Sequence, residues 1–345
     1  MDSITQIVLG AACGEIALGK KIGNKAILFG AIGGTIPDLD VLIGSLYYSN
    51  EIDSLAFHRG FMHSIIFAIL GAFIFGFISS KAYDYGPKRK GTTNLKDWIW
   101  LFFLSIFTHP ILDSFTPYGT QLFLPFSGYR VAFNNIAVAD PLYTIPFLLC
   151  IIIAMFFNRK NPTRRRWTKV GLFISSAYMI FTIGNKLYVD QTFKSSFQKA
   201  HINYSKFSTQ PTILNNILWY AVAETDKNYT VAFYSIFDNN TRPTNFINIP
   251  KNHTLMDVNH PDIKTLRWFS NEFYTLSSLN NNQVIYKDLR YPLLDQKDST
   301  SSLFSFKLIK EGKRWNTKSL SEERFKDSNM KKLSKELFYR AFRDF

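Results

Sequence analysis

Three short stretches of the sequence combine histidines and aspartates in a pattern that suits metal binding. Each lies at one end of a long apolar run, where ionisable side chains are costly to keep and default to a functional interpretation. A mixed set of imidazoles and carboxylates without sulfur suits zinc, manganese or iron, and zinc is the commonest of these in hydrolases. The six candidate metal ligands are Asp38, Asp40, His58, His63, His109 and Asp113.

The spacing within two of these stretches brings side chains together. His109 and Asp113 are four residues apart, so one helical face would carry both to the same ion. Asp38 and Asp40 follow Pro37, after which a turn or an extended backbone would place both carboxylates on the same side. The sequence therefore predicts that these two pairs contribute to one metal centre.

The third stretch adds two histidines and an arginine. His58 precedes an apolar helix and His63 lies at its start, so the two would bind together only if the loop folds over the site. Six ligands exceed the three protein ligands of a typical catalytic zinc, which favours two ions able to stabilise a phosphoryl displacement. Arg59 would pair with phosphate through its guanidinium, or else contact a lipid headgroup or cap a helix. We assign catalytic roles to Arg59 and Asp40.

Further candidate substrate contacts follow the ligand helix. Thr116 and Tyr118 belong to a Thr-Pro-Tyr-Gly segment that would line a pocket with hydroxyl groups or simply form a turn. Arg130 is a third candidate substrate contact. A Ser-His-Asp triad using Ser64 is disfavoured, because no Gly-x-Ser-x-Gly segment supports it.

Composition divides the 345-residue chain in two. Ile, Leu, Phe, Ala and Gly dominate up to residue 189, and Asn, Ser, Thr, Lys and Asp dominate afterwards. We predict a transmembrane helical domain over 1–189, which carries the metal site, and a soluble extracytoplasmic α+β domain over 190–345. The fold class is thus a multispanning α-helical bundle of about six helices with a C-terminal domain built on a small antiparallel sheet.

The membrane prediction depends on six apolar segments. Most approach the ~20 residues that cross a bilayer, and the first is the weakest because it contains Glu15. Glycines at 10, 14, 30, 33 and 34 would let helices approach closely, a packing role at least as likely as a catalytic one. The segments are 3–19, 26–48, 62–80, 98–116, 141–157 and 168–189.

Basic residues predict the orientation of these segments. The first, third and fifth connections hold three, five and six Lys or Arg residues, whereas the others hold only Arg59 and Arg130. The positive-inside rule therefore makes the odd connections cytoplasmic and puts all the candidate ligands at the extracytoplasmic face. The same rule explains the net charge of +14 without a nucleic-acid partner, and the expected partners are membrane lipids.

The C-terminal part has the pattern of a small mixed domain. Residues 218–223, 229–234, 283–286 and 303–308 are rich in β-formers, with Asn, Asp and Gly between them. Residues 263–274 have the pattern of one amphipathic helix. These patterns predict one mostly antiparallel sheet with a few helices.

Five ordered motifs give the chain a resemblance to the YdjM-type family, over roughly residues 1–157. That family is described as inner-membrane-associated metal-dependent hydrolases, some of them LexA-binding. The motifs are Met1-Asp2-Ser3-Ile4-Thr5 through Gly10, Pro37-Asp38-x-Asp40, His58-Arg59-Gly60-x-x-His63-Ser64, Thr108-His109-x-x-x-Asp113 and Tyr118-Gly119.

The resemblance implies a multi-pass protein of the bacterial inner membrane whose metal ligands are the six residues named above. It also reveals one departure. Many relatives have a histidine after the threonine at position 5, where this chain has Gln6. If that histidine is a ligand in the relatives, this chain has one donor fewer.

Three functions compete at this point. The leading hypothesis is a membrane-embedded hydrolase with a divalent metal, zinc being expected ahead of manganese or iron, acting on a small-molecule or lipid phosphoester. The second is a non-catalytic membrane protein whose soluble domain binds a partner and whose metal site is structural or vestigial. The third is a metal or proton transporter, which ligands at helix ends rather than helix centres disfavour.

Overall fold

The structure, a computed structural model, describes residues 1–86, 89–238, 243, 245–280, 283–292, 304–319 and 337–342. These residues form two compact units. The first comprises Met1–Gly44 and Phe57–Ile183. The second comprises Ser45–Ala56 together with the described residues from Gly184 onward. A short segment from within the apolar half of the sequence therefore belongs to the second unit.

The helices confirm the predicted apolar bundle. Four stretches are long and apolar enough to cross a membrane, namely Asn24–Tyr47, Ile65–Asp84, Leu95–Ser114 and Pro162–Lys199, and Pro141–Met155 is a shorter apolar helix. The helices are α1 (Ser3–Ile22), α2 (Asn24–Thr35), α3 (Leu39–Tyr47), α4 (Glu51–Phe57), α5 (Ile65–Asp84), α6 (Leu95–Ser114), α7 (Pro141–Met155) and α8 (Pro162–Lys199).

The predicted second segment is not one continuous helix. The chain turns between α2 and α3, with the Leu39 amide donating to the Ile36 carbonyl and the Asp40 amide donating to the Pro37 carbonyl. Proline has no N–H and disfavours a helical residue before it, so α2 ends just ahead of Pro37. This break places two carboxylates at a helix junction rather than on opposite sides of one helix.

Glycines determine how closely α1 and α2 pack. A Cβ atom at Gly14 would lie 2.9 Å from Gly30 Cα, and one at Gly10 would lie 2.9 Å from Gly34 Cα. Both distances are shorter than real Cβ contacts, so the two backbones touch where side chains would otherwise separate them. The packing role predicted for these glycines is confirmed.

We expect Gly14→Ala to destabilise the protein by about 1–3 kcal/mol, because the added methyl group would meet the backbone of α2 and force the helices apart. Gly184→Ala is the matched control, since a Cβ atom at Gly184 meets nothing within 4 Å. Thermal unfolding in detergent would measure both variants. Equal stabilities for the two would contradict the close approach of α1 and α2.

The first sheet of the second unit has both faces buried. It is antiparallel in the order β1 (Lys206–Pro211), β2 (Leu218–Glu224), β3 (Asn228–Ser235) and β4 (Ile247–Pro250). Leu218, Tyr220 and Val222 pack on one side, while Trp219 and Ala221 pack on the other with the C-terminal part of α8. Because neighbouring residues of a strand point to opposite faces, these strands are apolar at successive positions rather than alternately.

A second antiparallel sheet completes this unit. Its order is β5 (Tyr274–Asn280), β6 (Gln283–Asp288), β7 (Ser305–Glu311) and β8 (Arg314–Ser319). The prediction of an α+β domain with antiparallel sheet is confirmed, but there are two sheets instead of one. The helix expected over 263–274 is shorter: α9 spans Pro261–Phe269, and Tyr274 begins β5.

Candidate metal centre

Four of the six candidate ligands converge on one point. The Nε2 atom of His63 lies 3.5 Å from Asp38 Oδ1 and 3.5 Å from Asp113 Oδ2. The Nε2 atom of His109 lies 3.4 Å from the same Asp38 atom and 3.6 Å from the same Asp113 atom. The structure thus gathers one imidazole–carboxylate quartet, Asp38, His63, His109 and Asp113, with ligand atoms all within 4.8 Å of one another.

These separations fit a small metal ion. Ligand atoms about 2.0–2.1 Å from a tetrahedral zinc lie about 3.3–3.4 Å from each other. The four measured nitrogen–oxygen separations, 3.4–3.6 Å, are close to that value. The Nε2 atoms of His63 and His109 are buried with no hydrogen-bond partner in the described part of the chain. Such atoms require a ligand, and a cation suits them both.

Local sequence explains how the quartet is positioned. Asp38 lies in the turn after Pro37, and His63 ends a single 3₁₀ turn just before α5. Ser64 then caps α5, its hydroxyl accepting a hydrogen bond from the Phe67 amide at 3.1 Å. His109 and Asp113 stand one turn apart near the end of α6, as their spacing predicts.

The hydrogen bond made by His109 leaves its Nε2 atom available for a metal. Its Nδ1 atom lies 2.6 Å from the carbonyl oxygen of Gly34, and a carbonyl can only accept, so Nδ1 carries the proton. Gly34 is in the last turn of α2, where helix carbonyls have no partner within the helix. Metal-binding histidines are commonly oriented by this kind of second contact.

Asp40 and His58 lie beside the quartet and are not part of it. The carboxylate of Asp40 contacts His63 Nδ1 at 3.0 Å and His58 Nδ1 at 2.9 Å, and it accepts a 2.9 Å hydrogen bond from the Arg59 amide. Asp40 therefore holds the ring of His63 from the side opposite the quartet. The ligand and catalytic roles predicted for Asp40, and the ligand role predicted for His58, stay predictions.

The carboxylates around His63 make this position attractive to cations. Burial lowers the pKa of His63, but contacts with Asp113, Asp38 and Asp40 outweigh burial and raise it to about 10. Burial lowers the pKa of His58 below its usual value, despite the hydrogen bond with Asp40. An arrangement that stabilises a proton on His63 also favours a divalent ion, which displaces that proton on binding.

We expect Asp40→Asn to weaken zinc binding by about 10- to 100-fold, the usual cost of removing a group that orients a metal-bound histidine. The substitution keeps the shape of the side chain and leaves all four quartet members in place. Zinc titration against a competing chelator would measure the change. An unchanged zinc affinity would contradict the orienting role of Asp40.

Two arginines and a tyrosine, Arg59, Arg130 and Tyr118, lie beside the quartet. Arg59 Nε lies 3.1 Å from Asp113 Oδ2, and its Nη1 donates to the hydroxyl of Thr116 at 3.0 Å. The ring of Tyr118 lies between two guanidinium groups, 4.7 Å from that of Arg59 and 4.8 Å from that of Arg130. All the candidate substrate contacts therefore lie together on one side of the metal centre.

The departure at position 6 also lies at this centre. Gln6 is buried, and its amide nitrogen donates to Asp113 Oδ1 at 2.8 Å and to the His109 carbonyl at 3.2 Å. The glutamine therefore orients a quartet carboxylate. Sequence reasoning marked this position only through the resemblance, because a polar residue early in an apolar helix does not reveal what it contacts.

Comparison with known proteins identifies a family that the chain resembles over its apolar region. Residues 1–189 match the YdjM inner membrane protein family. The protein YfhP of Bacillus subtilis is 32% identical over 160 residues, which cover 44% of this chain and 46% of that protein. The inner membrane protein YbcI of Escherichia coli is 33% identical over 155 residues, covering 41% of this chain and 81% of that protein. No solved structure matches.

Proposed function

The chain belongs to the YdjM inner membrane protein family, and we propose that this member is a metal-dependent hydrolase acting on a phosphoester at the extracytoplasmic face of the inner membrane. The observation that carries the proposal is the quartet of Asp38, His63, His109 and Asp113 beside two arginines. The basic residues of the odd connections support the orientation, with the C-terminal domain outside the cytoplasm.

Charge balance supports a cation at this position. Three carboxylates, Asp38, Asp40 and Asp113, are within contact distance of the histidines. Arg59 and the amino group of Met1, which contacts Asp113 Oδ1, are the cations beside them. Three negative charges and two positive charges leave one negative charge, which favours a further cation at the quartet. Burial makes this compensation important, since unpaired charge is costly away from water.

The exposure of the quartet supports entry of a substrate beside Asp38. The side chain of Asp38 is 27% exposed, whereas those of His63, His109 and Asp113 are at most 1% exposed. A bound zinc or manganese ion would supply Lewis-acid chemistry, polarising a phosphoryl oxygen and activating water. The chain's own residues would bind that group: the guanidinium groups of Arg59 and Arg130 suit phosphate oxygens, and both stack on Tyr118.

The test is hydrolysis by the full chain in nanodiscs, loaded with zinc or with manganese. Substrates would be a chromogenic phosphomonoester, a phosphodiester and phosphatidic acid. We expect metal-dependent hydrolysis of at least one. Arg130→Gln should lower kcat/KM by about 10- to 100-fold with metal content unchanged, as for loss of a hydrogen bond to a charged group. Arg159→Gln, at the other end of the bundle, is the matched control.

One observation favours a second function, a structural metal site. Closed zinc sites use four protein ligands, whereas catalytic zinc sites usually use three and leave one position open. The quartet offers four donors. A metal-loaded protein that hydrolyses none of the three substrates, and whose unfolding temperature falls when the metal is removed, would favour this structural site over the hydrolase.

A further inference from the structure

A cavity lined mainly by charged residues lies at the end of α1 away from the metal centre. It has a volume of about 480 Å³, within the range of ligand sites, and is lined by the last turns of α1 and the beginning of α8. Glu15 and Lys20, which line it, follow Gln6 by 9 and 14 residues on the same helix, a rise of roughly 14–21 Å. The cavity is therefore separate from the metal centre.

The floor of the cavity is a buried ion pair. Arg164 Nε and Nη2 donate to the two oxygens of Glu15 at 2.7 and 2.6 Å, and both side chains are almost fully buried. Arg164 Nη1 also donates to Asn24 Oδ1 at 2.6 Å and to the Phe157 carbonyl at 3.1 Å. A Cβ atom at Gly19 would overlap the Glu15 carboxylate, so this glycine provides the space for the pair.

Basic side chains line the rim of the cavity. Both oxygens of Glu15, the one acidic residue among the lining residues, are already bound by Arg164. The guanidinium of Arg159 donates to the Lys21 carbonyl. The other five rim side chains make no hydrogen bond or ion pair to the residues that the structure describes. The six rim residues are Lys20, Arg159, Lys160, Arg165, Arg166 and Lys169.

We propose that this cavity binds the phosphate-bearing headgroup of an anionic phospholipid. Six uncompensated positive charges around a preformed cavity repel one another, and a bound phosphate relieves that repulsion. Basic pockets between membrane helices on the cytoplasmic side are suited to anionic headgroups. The positive-inside rule accounts for basic residues in a solvated loop, but it requires neither a cavity nor a buried arginine beneath it.

Apolar side chains beside the rim favour a lipid over free phosphate. Ile16, which lines the cavity, is 40% exposed, and Val170 and Phe173 on α8 are 41% and 75% exposed. α8 is one of the helices long and apolar enough to span a membrane. Acyl chains attached to a headgroup in the cavity would contact these side chains, whereas inorganic phosphate has no apolar part to do so.

Native mass spectrometry of the delipidated full chain in detergent tests the proposal. The probes are phosphatidylglycerol, phosphatidylcholine and inorganic phosphate. We expect phosphatidylglycerol to bind more tightly than phosphatidylcholine. The variant Arg165→Gln, Arg166→Gln, Lys169→Gln should weaken binding of phosphatidylglycerol by about tenfold or more. All three residues are exposed, so this variant is expected to fold.

A control variant with the same change in charge distinguishes binding in the cavity from general electrostatic attraction between the lipid and basic loops. Lys81→Gln, Lys90→Gln, Lys96→Gln removes three exposed basic residues from another predicted cytoplasmic connection and should change the affinity less than about twofold. Equal losses in both triple variants, or no loss in the cavity variant, would overturn the proposal. Displacement of the lipid by millimolar inorganic phosphate would also overturn it, by identifying a site for free phosphate.

Discussion

Replacing His109 with alanine is expected to lower the zinc affinity of the protein by more than about 100-fold. Removing a group that only orients a ligand already costs about 10- to 100-fold, and His109 supplies a ligand atom itself. Its Nε2 atom is 3.4–3.6 Å from the two quartet oxygens, so no neighbouring side chain replaces it without rearrangement. Competition titration with a chelator of known affinity would measure the loss.

Two further variants test whether the loss of zinc affinity in His109→Ala comes from the metal centre rather than from misfolding or from removal of any histidine. Asp38→Asn keeps the shape of a partly exposed side chain and removes a charged metal ligand, so its zinc affinity should fall while the helical content of the metal-free protein stays unchanged. His201→Ala removes an exposed histidine of the second unit and should leave zinc binding unchanged. Wild-type affinity in both His109→Ala and Asp38→Asn would show that the quartet does not hold the ion.

The second large effect concerns the buried pair of Glu15 and Arg164. Glu15→Gln leaves the guanidinium of Arg164 buried without its counter-charge, which typically costs 3–5 kcal/mol when the partner of a buried pair is lost. Chemical unfolding in detergent would measure the free energy of unfolding. The double variant Glu15→Gln, Arg164→Met should recover part of the loss, because it removes the unpaired charge as well.

An exposed ion pair in the same unit provides the comparison. Lys21 Nζ contacts Asp97 at 2.5 Å, and the lysine side chain is 43% exposed. Lys21→Gln should therefore change the free energy of unfolding by less than about 1 kcal/mol. If Glu15→Gln and Lys21→Gln lowered the free energy of unfolding by the same small amount, the buried ion pair would contribute no more to stability than the exposed one.

The apolar periodicity and motif spacing predicted much of the membrane region. The helical bundle followed from segment length, and the convergence of His109 with Asp113 followed from their spacing of one turn. Close helix packing at the glycines also followed from their spacing, because backbone contact requires the absence of side chains, but the pairing of α1 with α2 is known only from the fold. These features depend on segment length and residue spacing, which can be read directly from the sequence.

Other features depend on contacts between distant parts of the chain. The sequence offered Asp40 and His58 as equal candidates to Asp38 and His63. Only the fold brings Asp38 and His63 into the quartet and places Asp40 against the other ring nitrogen of His63. Glu15 pairs with Arg164, which lies 149 positions away. The sequence does not reveal this partner, and Glu15 therefore counted against the first segment as a membrane span. The two sheets were predicted as one because strand patterns do not determine which strands pair.

The most direct measurement is the metal content of the purified full chain by inductively coupled plasma mass spectrometry, before and after incubation with zinc or manganese. The quartet predicts close to one ion per chain in the wild type and much less in His109→Ala. A wild-type protein that stays metal-free after incubation with both metals, while remaining folded, would contradict a metal centre formed by Asp38, His63, His109 and Asp113.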